Sequence, residues 1–166
     1  MNRFLGDQLM NERSYPDRPW VVVGGIVFQD DKVLLVKRGR EPGLGRWSIP
    51  GGAVDVGELV KAALQREIEE ETGLLVEVLD LVEIFERIIP DPQGRILYHY
   101  VLLDYWCAIK GGQLKAQSDA DEAGFFPVVS LKTINLPQET ERVILKAYEK
   151  HQNFCLTKNE KEKKNQ

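Results

Sequence analysis

At 166 residues and 43% hydrophobic content, the chain is long enough for one domain with a substantial core and too short for two full ones. Its 22 basic and 26 acidic residues leave a formal charge of −4, which argues against a broad nucleic-acid footprint. The longest apolar stretch, Trp20–Phe28, is far too short to span a bilayer as a helix, which needs about 20 residues. No apolar signal-peptide core precedes it, so a soluble, cytoplasmic protein with no membrane partner is expected. Cys107 and Cys155 lack metal-ligand spacing and read as reduced thiols.

Residues 1–19 are polar and read as a flexible N-terminal arm. Trp20–Gln29 has the β-branched pattern of a buried strand, and Asp30-Asp31 turns it into a second strand, Lys32–Arg38. Three glycines and a proline make Gly39–Arg46 a loop, and "WSIP" is a short extended piece before a turn at Gly51-Gly52. Strong helix formers run from about Gly57 to Thr72, with Gly73 placed as the C-terminal cap. Leu74–Ile89 suits one or two strands, Pro90–Gly94 a turn, and Arg95–Lys110 a long strand ended by Gly111-Gly112. "SDADEAGFFPV" reads as an acidic loop and a short strand, and a last helix is expected over Pro137–His151. The apolar-free tail "KNEKEKKNQ" reads as disordered. The order predicts an α+β fold, a mixed β-sheet between helices, divided into an arm (1–19), one domain (20–153) and a tail (154–166).

The acidic run "QREIEEETG" holds Glu67, Glu69, Glu70 and Glu71, and adjacent like charges on a helix are destabilising. At about 100° per residue, Glu71 and Glu70 lie roughly 40° and 60° to either side of Glu67. Val60, Leu64 and Ile68 form the apolar stripe beside them, while Glu69 points away with Lys61 and Gln65. A solvated acidic face is the ordinary reading of such a run. Here, however, three carboxylates crowd the edge of the core, and a hard divalent cation with oxygen ligands accounts for them better.

Gly52, Glu58, Arg66-Glu67, Ile68, Glu70-Glu71, Gly73 and Leu74 match the Nudix box, G-x5-E-x7-R-E-U-x-E-E-x-G-U, so the chain resembles the Nudix hydrolases. The resemblance extends to "GRWSIPGG" and, more loosely, from Trp20 to Leu131. It implies the Nudix fold, an α/β/α sandwich, and Mg²⁺-dependent (or Mn²⁺-dependent) hydrolysis of a nucleoside diphosphate linked to another group. By the resemblance, Glu67, Glu70, Glu71 and the Gly52 carbonyl are metal ligands, and Glu58 supports the metal shell or pairs with Arg66. Arg66 is open between a salt bridge and a direct role, and Gly51 serves the turn. The general base is a box glutamate, Glu67 or Glu70, or a later acid among Asp119, Asp121 and Glu122, of which Glu122 is preferred.

Arg suits bidentate oxyanion recognition, so Arg38, Arg46 and Arg95 are candidate substrate contacts, with Lys37 and Arg40 in the same loop. Core packing is the favoured role for most of Trp20, Phe28, Phe85 and Tyr98 over base stacking. Trp47 is read as packing beneath the box loop, and His99 and His151 as structural. Pro90, sixteen residues after Leu74, resembles the ADP-ribose pyrophosphatase branch, which implies cleavage of ADP-ribose to AMP and ribose 5-phosphate. The arm resembles the dimerisation segments of that branch and admits a homodimer. Two alternatives stand beside it: a house-cleaning nucleoside triphosphate pyrophosphohydrolase and a non-catalytic Nudix-fold nucleotide sensor.

Overall fold

In the computed structural model, residues 12–164 are described, with side chains described through Cys155. The elements in order are β1 (Trp20–Gln29), β2 (Lys32–Arg38), β3 (Trp47–Ser48), β4 (Gly51–Ala53), α1 (Val60–Thr72), β5 (Leu74–Pro90), β6 (Ile96–Gly112), β7 (Ala120–Pro127), a 3-10 turn (Val128–Thr133) and α2 (Gln138–Lys164). The sheet order is β3-β2-β1-β6-β5, with β4 beside β1 and β7 beside β2. Only β1 and β6 pair in parallel; the other pairs are antiparallel, so the sheet is mixed.

Alternation along β1 divides the core. Val23 and Val27 face α1 and meet its stripe of Ala63, Leu64 and Ile68, all fully buried. Ile26 and Phe28 face the opposite way, toward Trp106 of β6 and Val143, Ile144 and Ala147 of α2. Full burial of each aliphatic side chain contributes about 1.5–3 kcal/mol, so the two clusters hold the helices on opposite faces of the sheet. Gly25 lets α1 close on β1, because a Cβ there would overlap the Ile68 side chain. Gly73 adopts φ 70° and donates its N–H to Glu69 O at 2.8 Å, ending α1 as expected.

The sheet is split where the site lies. β1 and β2 pair only at their hairpin, Phe28 with Val33 and Gln29 with Lys32. Toward its N-terminal end β1 pairs instead with β4, matching Val22–Gly24 to Ala53–Gly51. Gly51-Gly52 therefore form strand rather than the turn expected of them. Backbone pairing with β1 decides their conformation, and glycine carries no side chain that would announce it.

Other boundaries also differ. Helix α1 begins at Val60 because Gly57, at φ 86°, cannot lie in a helix. Asp121 and Glu122 lie within β7 rather than a loop. Helix α2 continues to Lys164, through the segment expected to be disordered, since no glycine or proline follows Pro137 to stop it. Residues 1–11 of the arm lie outside the described residues. In the remainder of the arm, Tyr15 donates its N–H to Leu97 O at 2.8 Å and its hydroxyl to Asp91 at 3.0 Å, so it is pinned to the β5–β6 turn rather than loose. Among the described residues, no helix is long and apolar enough to cross a membrane.

Candidate active site

Helix α1 presents its acidic edge to β4. The Glu71 carboxylate is buried and accepts the Gly51 N–H at 2.9 Å. Gly52 lies directly over Glu67, where any Cβ would overlap the Glu67 carboxylate. Glu67, Glu70, Glu71, Gly51 and Gly52 line a pocket of about 150 Å³ with Arg38 and Asp119, whereas Glu69 is exposed and does not line it. The helical-face separation of three glutamates from the fourth is thus present in the fold.

Arg66 holds much of this acidic edge together. Its Nε and Nη2 donate to the two carboxylate oxygens of Glu58 at 2.9 Å each, and Nη1 reaches Glu67 at 2.9 Å and Glu70 at 3.4 Å. This bidentate grip holds the Glu58 carboxyl below its ordinary range, and the same hydrogen bond raises Arg66 further above its own. The counter-ion that the crowded carboxylates require is supplied in part by the box arginine itself.

Burial acts in the opposite direction on the two inner glutamates. It pushes Glu71 up to about 7 against the opposing Gly51 N–H, with the Glu67 charge adding to the rise. Burial likewise raises Glu67, opposed by its hydrogen bond from Arg66. Three carboxylates and nearby backbone carbonyls form an all-oxygen donor set suited to a hard divalent cation. Among the described residues, no three His, Cys, Asp or Glu side chains converge tightly enough to enclose an ion unaided. A cation there therefore takes part of its shell from water or substrate oxygens, as Mg²⁺ commonly does.

A larger cavity of about 400 Å³ adjoins the acidic pocket on the α2 face, and both are lined by Arg13, Arg38, Gly51 and Gly52. Arg46, Trp47, Ser48, Arg87 and Tyr100 complete much of its wall. Arg38 is oriented by its Nε–H bond to Pro42 O at 2.8 Å. Trp47 packs edge-on against Phe126 while lining this cavity, so packing beneath the loop is only part of its position. Phe28 lies in the core and Tyr98 stacks on Tyr100.

Two expected site residues lie elsewhere. Arg95 donates to Asp91 at 2.7 Å and to the Tyr15 hydroxyl at 3.0 Å, which commits it to the β5–β6 turn, and it lines neither cavity. Glu122 is held by Lys37 at 2.7 Å across the β2–β7 pair, and Asp119 is the later acid that reaches the pocket. Arg13 and Arg87 are additions. Nothing local marks Arg13 in the arm, and Arg87 is one of five charged residues spread along β5 without regular alternation.

The NUDIX domain family matches residues 18–148. The ADP-ribose pyrophosphatase of Methanocaldococcus jannaschii is 39% identical over 135 residues, 81% of this chain and 76% of that protein. The 8-oxo-dGDP phosphatase of Mus musculus is 35% identical over 69% of this chain, which spans 34% of that protein's length. The crystal structure of a MutT NUDIX hydrolase from Burkholderia pseudomallei superposes with a TM-score of 0.64 at 30% identity, covering 78% of this chain and 98% of that one.

Proposed function

The chain belongs to the NUDIX hydrolase family, and from that premise we propose that it hydrolyses the pyrophosphate of ADP-ribose, releasing AMP and ribose 5-phosphate. The observation that carries this reading is the 39% identity to an ADP-ribose pyrophosphatase across most of both chains. The joined pockets support it, because an acidic pocket beside a larger, arginine-lined cavity suits a pyrophosphate attached to two sugar-sized groups.

Glu67, Glu70, Glu71 and the Gly52 carbonyl would hold Mg²⁺, with Mn²⁺ as the other candidate, and the bound ion would supply charge neutralisation of the pyrophosphate oxygens and a lowered pKa for a coordinated water. Glu70, the most accessible of the three, takes the proton of the attacking water as its oxygen adds to phosphorus. The bridging P–O bond breaks and its oxygen departs with the second phosphate. Arg38 and Arg46 grip phosphate or ribose oxygens, Arg13 adds positive charge at the junction of the cavities, and Arg66 keeps Glu58, Glu67 and Glu70 in register.

A second reading, hydrolysis of an oxidised guanine nucleotide, is favoured by the 35% identity to an 8-oxo-dGDP phosphatase. The deciding experiment is a substrate panel with Mg²⁺ containing ADP-ribose, sugar nucleotides, dinucleotides, 8-oxo-dGDP and triphosphates. Release of AMP from ADP-ribose at the highest kcat/KM is the expected result. A higher value for 8-oxo-dGDP or a triphosphate overturns it.

A further inference from the structure

Beyond the large cavity, a smaller recess of about 80 Å³ reaches into the sheet, and its wall includes the side chain of Asp104. The recess shares Val22, Arg38, Ser48, Arg87 and Leu102 with the large cavity, so the two are adjoining parts of one cleft. Asp104 lies on β6, on the α2 face with Tyr100, Leu102 and Trp106, and only 2% of it is exposed. No hydrogen bond or ion pair ties its carboxyl to another described residue; burial acts on it most strongly, and the charges of Arg87 and Glu83 act on it in opposite senses.

A carboxyl buried in this manner is costly when no partner compensates. The chain also yields space to it. Gly24, in the middle of the central strand, lies against Asp104, and a Cβ there would overlap its Oδ1. Glycine in a strand interior weakens the strand and marks a close approach. Two unfavourable choices at one point, a buried unpartnered acid and a central glycine, are accounted for together when the acceptor is reserved for a ligand.

The recess is too small for a whole purine but admits the substituted edge of one whose rings occupy the larger cavity. Leu102, which lines both spaces, offers apolar surface to those rings, and Phe85 lines the recess that takes the edge. We propose that Asp104 determines base specificity by accepting a hydrogen bond from the exocyclic amine of an aminopurine nucleotide. A carboxyl retains an acceptor oxygen in either protonation state, so the contact does not depend on ionisation. The inference rests on the nucleotide reading above. Both substrates weighed there carry such an amine, on C6 of adenine or on C2 of 8-oxoguanine.

The test is calorimetric binding of four 5′-monophosphates to wild type, Asp104→Leu and Asp104→Asn. AMP is compared with purine riboside monophosphate, which lacks the 6-amino group, and GMP with IMP, which lacks the 2-amino group. Wild type is expected to favour the amine-bearing member of one pair by at least about tenfold, as sites built around a hydrogen bond reject analogues lacking it. The responding pair identifies the base. Asp104→Leu should bring that ratio to within about twofold, while Asp104→Asn, which keeps an acceptor oxygen, preserves most of it. No preference in wild type, or a preference that survives in Asp104→Leu, overturns the assignment. ADP-ribose turnover is measured in parallel. Base discrimination lost in Asp104→Leu without any turnover by wild type refutes the proposed reaction alone, and turnover with discrimination independent of Asp104 refutes this inference alone.

Discussion

Glu69 and Glu70 are neighbours of identical chemistry, and a helix separates them by about 100°. That rotation places Glu70 on the pocket wall beside Arg66 and leaves Glu69 in solvent. Glu70→Gln keeps the shape of the side chain but removes the charge and, in the proposed reaction, the proton acceptor, so kcat should fall by at least about 10²-fold. Glu69→Gln should leave kcat within about threefold, since exposed charges rarely matter at a distance. Steady-state kinetics on both variants decides the point; equal losses would refute the assignment by helical face. At this scale the sequence is informative where periodicity operates, and it separates the three pocket glutamates from the fourth. Glu122 was not legible in this way, because its partner Lys37 lies 85 positions away in sequence and only the β2–β7 pairing brings them together.

Among the elements, β1, β2 and the C-terminal end of α1 stand where the sequence places them, because apolar runs and a capping glycine act locally. Strand β4 does not, since two glycines have no strand preference of their own and only the open edge of β1 makes them pair. The two glycines then do different work. At Gly52 an added methyl meets the carboxylate of Glu67, the far end of a flexible side chain that can swing aside. At Gly51 it meets the backbone carbonyl of Val23, which cannot move freely, and φ is 152°. Gly52→Ala is therefore expected to change stability by less than about 1 kcal/mol. It should lower kcat/KM by at least about tenfold through displacement of Glu67, a metal ligand in the proposed reaction. Gly51→Ala should destabilise by about 2 kcal/mol or more and lower Tm by several degrees. Thermal unfolding and kinetics on the same two proteins separate the effects; the idea fails if Gly52→Ala proves the less stable of the pair.

Across the whole molecule, the α1 face and the α2 face each contain a carboxyl displaced to about 7 by burial, Glu71 on the first and Asp104 on the second. Neither was legible as such, since nothing near Asp104 in "VLLDYWC" distinguishes a buried acid from one at a strand edge. Its surroundings come from β1, β4, β5 and α2 together. The sign of its effect on stability follows from the two states. Unfolded, Asp104 titrates near 3.8; folded, near 7. Below about pH 4 both states are protonated and its contribution is fully present. As pH rises the unfolded state ionises first, so stability is lost progressively up to about pH 7 and is flat above. Glu58 and Asp91, whose folded values are lowered, act in the opposite sense and weaken the fold as pH falls through the acidic range. Asp104→Asn cancels one contribution and leaves the others in place. The Tm of the variant minus that of wild type should therefore increase between pH 4 and 7 and level off above. The change corresponds to at most roughly 4 kcal/mol, or about 8–16 °C in a chain of this size. Any constant cost of burying the amide shifts that curve without changing its shape. A difference that stays level from pH 4 to 8 would mean that Asp104 titrates in the folded protein as it does in the open chain.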